Sequence, residues 1–177
     1  MQNRTRAAIL DAAATILAAE GEAASLADVA QAAGIARSTL YRYFTTRDAL
    51  LTALAETGAR EVDSRLSEMA DSSLPIPEAL ARLTRSLLAV GTKYVALTTL
   101  RPKPDEPTNA ELIEPLAQLF RRGIDDGTIR KNLDPEELAS IYGDLINGAI
   151  TRSATSSANV EHTSALIVSV LLDGAKQ

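Results

Sequence analysis

Apolar residues recur every three or four positions through almost the whole chain, and no stretch shows the alternation that marks a half-buried strand. The pattern predicts an all-α protein. A first helix is expected over about residues 4–20, with Ile9, Ala13, Ile16 and Leu17 on one face and Gly21 placed to end it. A second starts at Ser25, whose spacing to Asp28 makes an S-x-x-D capping box, and it buries Val29, Ala30 and Ala33. Ala33-Gly34-Ile35 then reads as a tight turn, because glycine tolerates the left-handed backbone that a sharp helix junction needs. A short third helix follows over roughly 37–44. Either Thr45 or Thr46 can cap the next, and its apolar stripe of Leu50, Leu51, Leu54, Val62, Leu66 and Met69 runs to a break at Asp71-Ser72-Ser73.

Beyond Pro75 and Pro77, the stripe Leu80, Leu83, Leu87, Tyr94 and Leu97 predicts one long core helix over about 78–100. Three prolines within residues 101–107 predict a loop. Leu112, Ile113, Leu116, Leu119, Phe120 and Ile124 mark a helix over 109–125, in which Pro115 either begins the regular part or kinks it; Asp126-Gly127 stops it. Asp134-Pro135-Glu136-Glu137 is a helix start, with an N-cap aspartate, proline at the first helical position and acids in the first turn. Leu138, Ile141, Tyr142, Leu145, Ile146 and Ala149 continue it. After a polar linker over 151–159, a last helix over 160–172 carries the run ALIVSVLL, apolar around most of its circumference. One neighbouring helix does not cover that much apolar surface, so a second buried contact is expected.

Composition narrows the chemistry. There is no cysteine and a single histidine, His162, so disulfides, thiolate metal sites and histidine clusters are excluded, and a reducing cytosol fits. No metal or cofactor is expected. No run approaches the ~20 apolar residues of a membrane span, and no long apolar segment follows the basic residues near the start. The expectation is a soluble, cytoplasmic protein without a membrane partner. The net charge is −5, yet residues 1–50 hold five basic and five acidic side chains, so the whole excess lies in residues 51–177. The stretch ARSTLYRYFTTR over 36–47 has three arginines and no acid. Salt screens charge beyond about 8 Å, so this local patch counts for phosphate contact more than the total does.

Three short helices with a glycine turn before the third form a helix-turn-helix arrangement, which makes the third the element that enters a DNA groove. Leu40 and Phe44, four apart, are expected to face inward. That leaves Arg37, Ser38, Thr39, Tyr41, Arg42 and Tyr43 on the other sides. Three of the six aromatic residues of the chain fall within 41–44, and phenolic hydroxyls beside arginines suit phosphate and groove contacts.

Residues 4–54, from R-x-x-x-x-I-L-D-A-A through ASLADVAQAAGIARSTLYRYFTTRDALLTAL, resemble the DNA-binding domain of the tetracycline-repressor (TetR) family in order, spacing and residue type. The resemblance implies a homodimer whose two recognition helices enter successive major grooves of a near-palindromic operator. It also implies that Thr39, Tyr41, Tyr43 and Arg47 touch the DNA backbone, that Arg37 and Ser38 lie nearest base edges, and that Ser25 caps a helix end resting on a phosphate. Arg42 is either a further contact or a solvated charge. Arg47 stands where the family usually has lysine. Ala36 replaces the usual capping serine or threonine, so the third helix is expected to start less firmly.

Residues 55–177 show no nucleophile elbow, phosphate loop or paired histidines, which argues against an enzyme. Arg121-Arg122 reads as a solvated helix face and His162 as a surface or interface residue. The resemblance implies instead a domain boundary near residue 48, followed over 49–177 by a helical bundle that binds a small-molecule effector and dimerises through its last two helices. Leu138, Ile141, Leu145 and Ala149 are the expected dimer residues on one of these helices, and Leu166, Ile167, Val170 and Leu171 on the other. Leu83, Leu87, Tyr94, Leu97, Leu116 and Phe120 either line an effector pocket or simply pack the core. The function that follows is a ligand-responsive repressor; a regulator controlled by a protein partner, or by no effector, is the alternative.

Overall fold

The computed structural model describes residues 2–70, 72–95, 97, 100, 108–153 and 159–175, with the side chains of residues 2, 70, 108–112 and 175 left out. Asp71, the proline-rich stretch 101–107 and residues 154–158 of the predicted linker lie outside the described residues. The rest is helical: α1 (Gln2–Glu20), a 3₁₀ turn (Gly21–Ala23), α2 (Leu26–Ala32), α3 (Arg37–Tyr43), α4 (Arg47–Ala70), α5 (Ile76–Lys93), α6 (Thr108–Asp125), α7 (Pro135–Ser153) and α8 (Val160–Ala175). Among the described residues no helix is long and apolar enough to cross a membrane. The chain divides into two compact units, one of Met1–Arg60 with Lys93–Lys103 and one of Glu61–Thr92 with Pro104–Gln177.

Local chemistry places most boundaries. Ser25 caps α2 in a reciprocal box: Asp28 N donates to Ser25 Oγ at 3.2 Å, and Ser25 N donates to Asp28 Oδ2 at 2.9 Å. Gly34 has φ +65, and a Schellman pair closes the turn, with Ile35 N on Ala30 O and Gly34 N on Gln31 O, both at 3.0 Å. Of the two threonines before α4, Thr46 is the cap, its Oγ1 accepting from Ala49 N at 3.1 Å. Asp134 Oδ1 accepts from Glu136 N and Glu137 N, and Asn159 Oδ1 accepts from Glu161 N, at the starts of α7 and α8. Pro115 lies inside α6 rather than at its start.

The Ser25 hydroxyl, then the Ser25 backbone N–H and the charge of Arg37, hold the Asp28 carboxyl below its ordinary value. A lowered carboxylate value means stability that is complete above the unfolded value and is lost as pH falls through the folded one. Ser25→Ala is therefore expected to cost roughly 0.5–2 kcal/mol in urea unfolding at neutral pH. The gap to wild type should narrow in acid below the ordinary aspartate range. A gap that stays constant down to acid pH would show that the box adds nothing beyond the cap itself.

Two boundaries depart from the expectation. α5 ends at Lys93, not near Leu100, and Tyr94 turns away from it. The Tyr94 ring packs where Gly58 of α4 has no side chain. A Cβ on Gly58 would lie 3.1 Å from Tyr94 Cδ2. α7 also runs through Thr151 and Arg152 to Ser153, so the start of the expected linker is helix.

In the first unit Ile9, Ala13, Leu17, Val29, Leu40 and Leu54 form a nearly sealed core. In the second, Leu80, Leu83, Leu119, Phe120, Ile129 and Tyr142 are the most enclosed. Arg122 of α6 donates to the carbonyls of Ser72 and Leu74, holding the segment between α4 and α5.

Candidate nucleic-acid interface

α3 is a seven-residue helix whose inward anchors are Leu40, fully buried, and Phe44, which caps its C-terminal end and is 4% exposed. Its N-cap, Ala36, makes no side-chain hydrogen bond, so only the Ala36 carbonyl holds the first turn, accepting from Thr39 N and Leu40 N. The opposite side presents Arg37, Ser38, Tyr41 and Arg42 to solvent, with Tyr41 50% exposed. Half of the Tyr41 surface is thus open to solvent on a helix anchored from its other side. Thr39 and Tyr43 are half-buried along its flanks. Ser25 is exposed but committed to its capping box.

Arg47, at the first turn of α4, is half-buried, and its Nη2 donates to Gly21 O at 3.3 Å and Glu22 O at 3.4 Å. It ties α4 to the turn between α1 and α2. Two acids of this region are occupied locally: Asp28 in the capping box, and Asp11 by Lys93 Nζ at 2.9 Å. The structure thus brings Arg37, Ser38, Tyr41 and Arg42 onto one exposed surface, with Arg47 engaged at its edge.

The six candidate pocket residues are divided between the two units. Leu83, Leu87, Leu116 and Phe120 lie in the core of the second, all at 7% exposure or less. Tyr94 and the half-buried Leu97, whose N–H reaches Tyr94 O, belong to the first. Beside Phe120 stands a polar pair that periodicity concealed: Thr84 Oγ1 and Tyr142 Oη at 2.9 Å, both residues fully buried. Thr84 spends its one proton on Leu80 O at 2.7 Å, so Tyr142 is the donor. Burial raises the phenol above its ordinary value, only partly offset by Thr84, and keeps it neutral. Its ring meets Phe120 edge-on, centroids 6.0 Å apart. Thr84 and Tyr142 occupy apolar registers of their helices, and that mismatch was the one available signal.

The eight candidate dimer residues also divide. Leu138, Ala149, Ile167 and Leu171 are buried in the chain's own core, whereas Ile141, Leu145, Leu166 and Val170 are 53%, 37%, 54% and 58% exposed. Among the described residues these four and Tyr41 are the exposed large hydrophobics.

The three-helix head α1–α3, with its glycine turn at Gly34 and an exposed arginine- and tyrosine-bearing third helix, has the helix-turn-helix arrangement. The sequence profile of bacterial regulatory proteins of the tetR family matches residues 9–54. The HTH-type transcriptional repressor LfrR of Mycolicibacterium smegmatis is 44% identical over 91 residues, 51% of this chain and 47% of that protein. An uncharacterized HTH-type transcriptional regulator of Mycobacterium tuberculosis is 33% identical over 129 residues, 68% of this chain and 64% of its own length. The chain thus spans about half to two thirds of the length of these relatives. The structure of the TetR-like regulator LfrR from Mycobacterium smegmatis in complex with proflavine covers 99% of this chain and 98% of its own, at TM-score 0.68 and 26% identity. Residues 9–54 thus carry the TetR-family profile, and the relatives and the solved structure that the chain resembles are transcriptional regulators.

Proposed function

We propose that the protein is a cytoplasmic repressor that binds a near-palindromic operator as a homodimer and is released by a small molecule. The observation that carries the DNA reading is the exposed set Arg37, Ser38, Tyr41 and Arg42 on a helix whose other side is locked by Leu40 and Phe44. In this reading residues 1–48 form the DNA-binding part and 49–177 the sensor and dimer part. Leu83, Leu87, Leu116 and Phe120 surround the effector. The surroundings are aliphatic apart from Phe120, Tyr142 and Thr84, which suits a largely apolar ligand with one hydrogen-bonding group.

The test is fluorescence anisotropy with duplex DNA flanking the protein's own gene. Tyr41→Phe is expected to weaken binding with no loss of thermal stability, since its hydroxyl is placed to reach a phosphate from an exposed position. Arg47→Ala should flatten the slope of log affinity against log salt by about one per protomer. It should also lower stability, because its guanidinium holds the Gly21 and Glu22 carbonyls. Arg37→Ala should act differently, relaxing preference at one base pair by about 1–3 kcal/mol. Wild-type affinity equal on flanking and scrambled duplexes would defeat the operator reading, and a uniform loss for Arg37→Ala would move that residue to the backbone.

A further inference from the structure

We propose that Arg6 is a further phosphate contact, held ready over the end of the recognition helix; the assignment rests on the DNA-binding reading of α3. Arg6 lies on α1, half-buried, with its guanidinium carbon 5.6 Å from the centroid of the Phe44 ring. Phe44 is the residue that closes α3, its N–H on Leu40 O and its ring almost wholly covered. A cation held against a ring face uses none of its N–H groups for that contact. Among the described residues Arg6 forms no hydrogen bond and no ion pair, in contrast to Arg47, which spends donors on two carbonyls. Its five donors are uncommitted while its position is restrained, and a planar fork of N–H groups is matched to phosphate oxygens.

Geometry says where that phosphate is. Seven helical residues span roughly 10 Å within a major groove about 12 Å wide, so the C-terminal end of α3 lies within side-chain reach of a backbone that walls the groove. The C-terminal end of a helix carries partial negative charge and by itself repels a phosphate. Arg6 sits beside that end and supplies the opposite charge. The need is sharpened by the charge of residues 1–50, which is zero with Arg6 counted, five basic against five acidic, and negative without it.

The experiment compares the full chain with Arg6→Gln and Arg6→Lys on a labelled duplex flanking its gene and on a scrambled duplex of equal length, across a salt series. A phosphate contact is blind to sequence, so Arg6→Gln should lower the salt slope by about 0.9 per protomer, about 1.8 for the dimer, on both duplexes. Arg6→Lys should restore the slope. Thermal midpoints measured alongside read the packing of Phe44 separately. An Arg6→Gln slope equal to wild type, whatever its midpoint, overturns the assignment and leaves Arg6 as a cover for Phe44. A wild type that binds neither duplex overturns the DNA reading itself, and the two failures are distinct.

Discussion

Leu166→Glu is expected to turn a dimer into folded monomers and to lower operator affinity by about 10²–10⁴-fold, the loss that follows when two linked heads bind independently. Ile141 and Leu145 are four apart on α7, and Leu166 and Val170 four apart on α8, so each pair lies on one face of its helix. Four large aliphatic side chains between 37% and 58% exposed are a surface in want of cover, and the cover proposed is the same surface of a second copy. A two-fold interface uses every residue twice, so one introduced carboxylate places two charges in the seam. Choosing the neighbouring Ile167 would mislead. It is 7% exposed within the chain's own core, so Ile167→Glu should unfold the second unit instead of separating dimers. Sedimentation with circular dichroism distinguishes them: Leu166→Glu keeps its helical signal at half the mass, and Ile167→Glu loses the share of the signal that the second unit supplies. A wild type that sediments as a monomer at micromolar concentration, or a Leu166→Glu that stays dimeric, sinks the proposal.

Effector binding and operator binding should each weaken the other by the same factor, about 5- to 150-fold for a coupling of roughly 1–3 kcal/mol. The reason lies in α4. Its first residue, Arg47, holds the turn between α1 and α2, while Leu66 lies in the core of the second unit and Val62 and Met69 pack against that core. A ligand that spreads Leu83, Leu87 and Phe120 has to displace the packing around Leu66, and a continuous hydrogen-bonded helix carries that shift toward Arg47. Two heads on one rigid duplex tolerate little change in spacing. Calorimetric titration with a long-chain alcohol, with and without saturating duplex, measures the coupling. Equal affinities with and without DNA for a ligand that does bind would favour control by a protein partner. Tyr142→Phe removes the buried donor and should weaken binding of the alcohol.

Several features were legible because they are local. The capping box of Ser25 and Asp28, the glycine turn at Gly34, the Asp134 cap and the stop at Gly127 each depend on residues within a few positions, where side-chain chemistry alone selects the backbone. The inward placement of Leu40 and Phe44, and with it the exposed face of α3, also followed from spacing. What spacing does not carry is the identity of the neighbour. An apolar stripe ran unbroken past residue 93, yet α5 ends there because Tyr94 finds its place against Gly58, 36 positions earlier. Eight apolar residues of α7 and α8 looked alike in sequence, and only packing separated those that fill the chain's own core from those left facing out. The pairs Thr84 with Tyr142, Arg47 with Gly21 and Arg6 with Phe44 likewise join residues 26 to 58 positions apart. Periodicity determines that a side chain leaves water; which surface receives it is decided when distant helices compete for the same contacts.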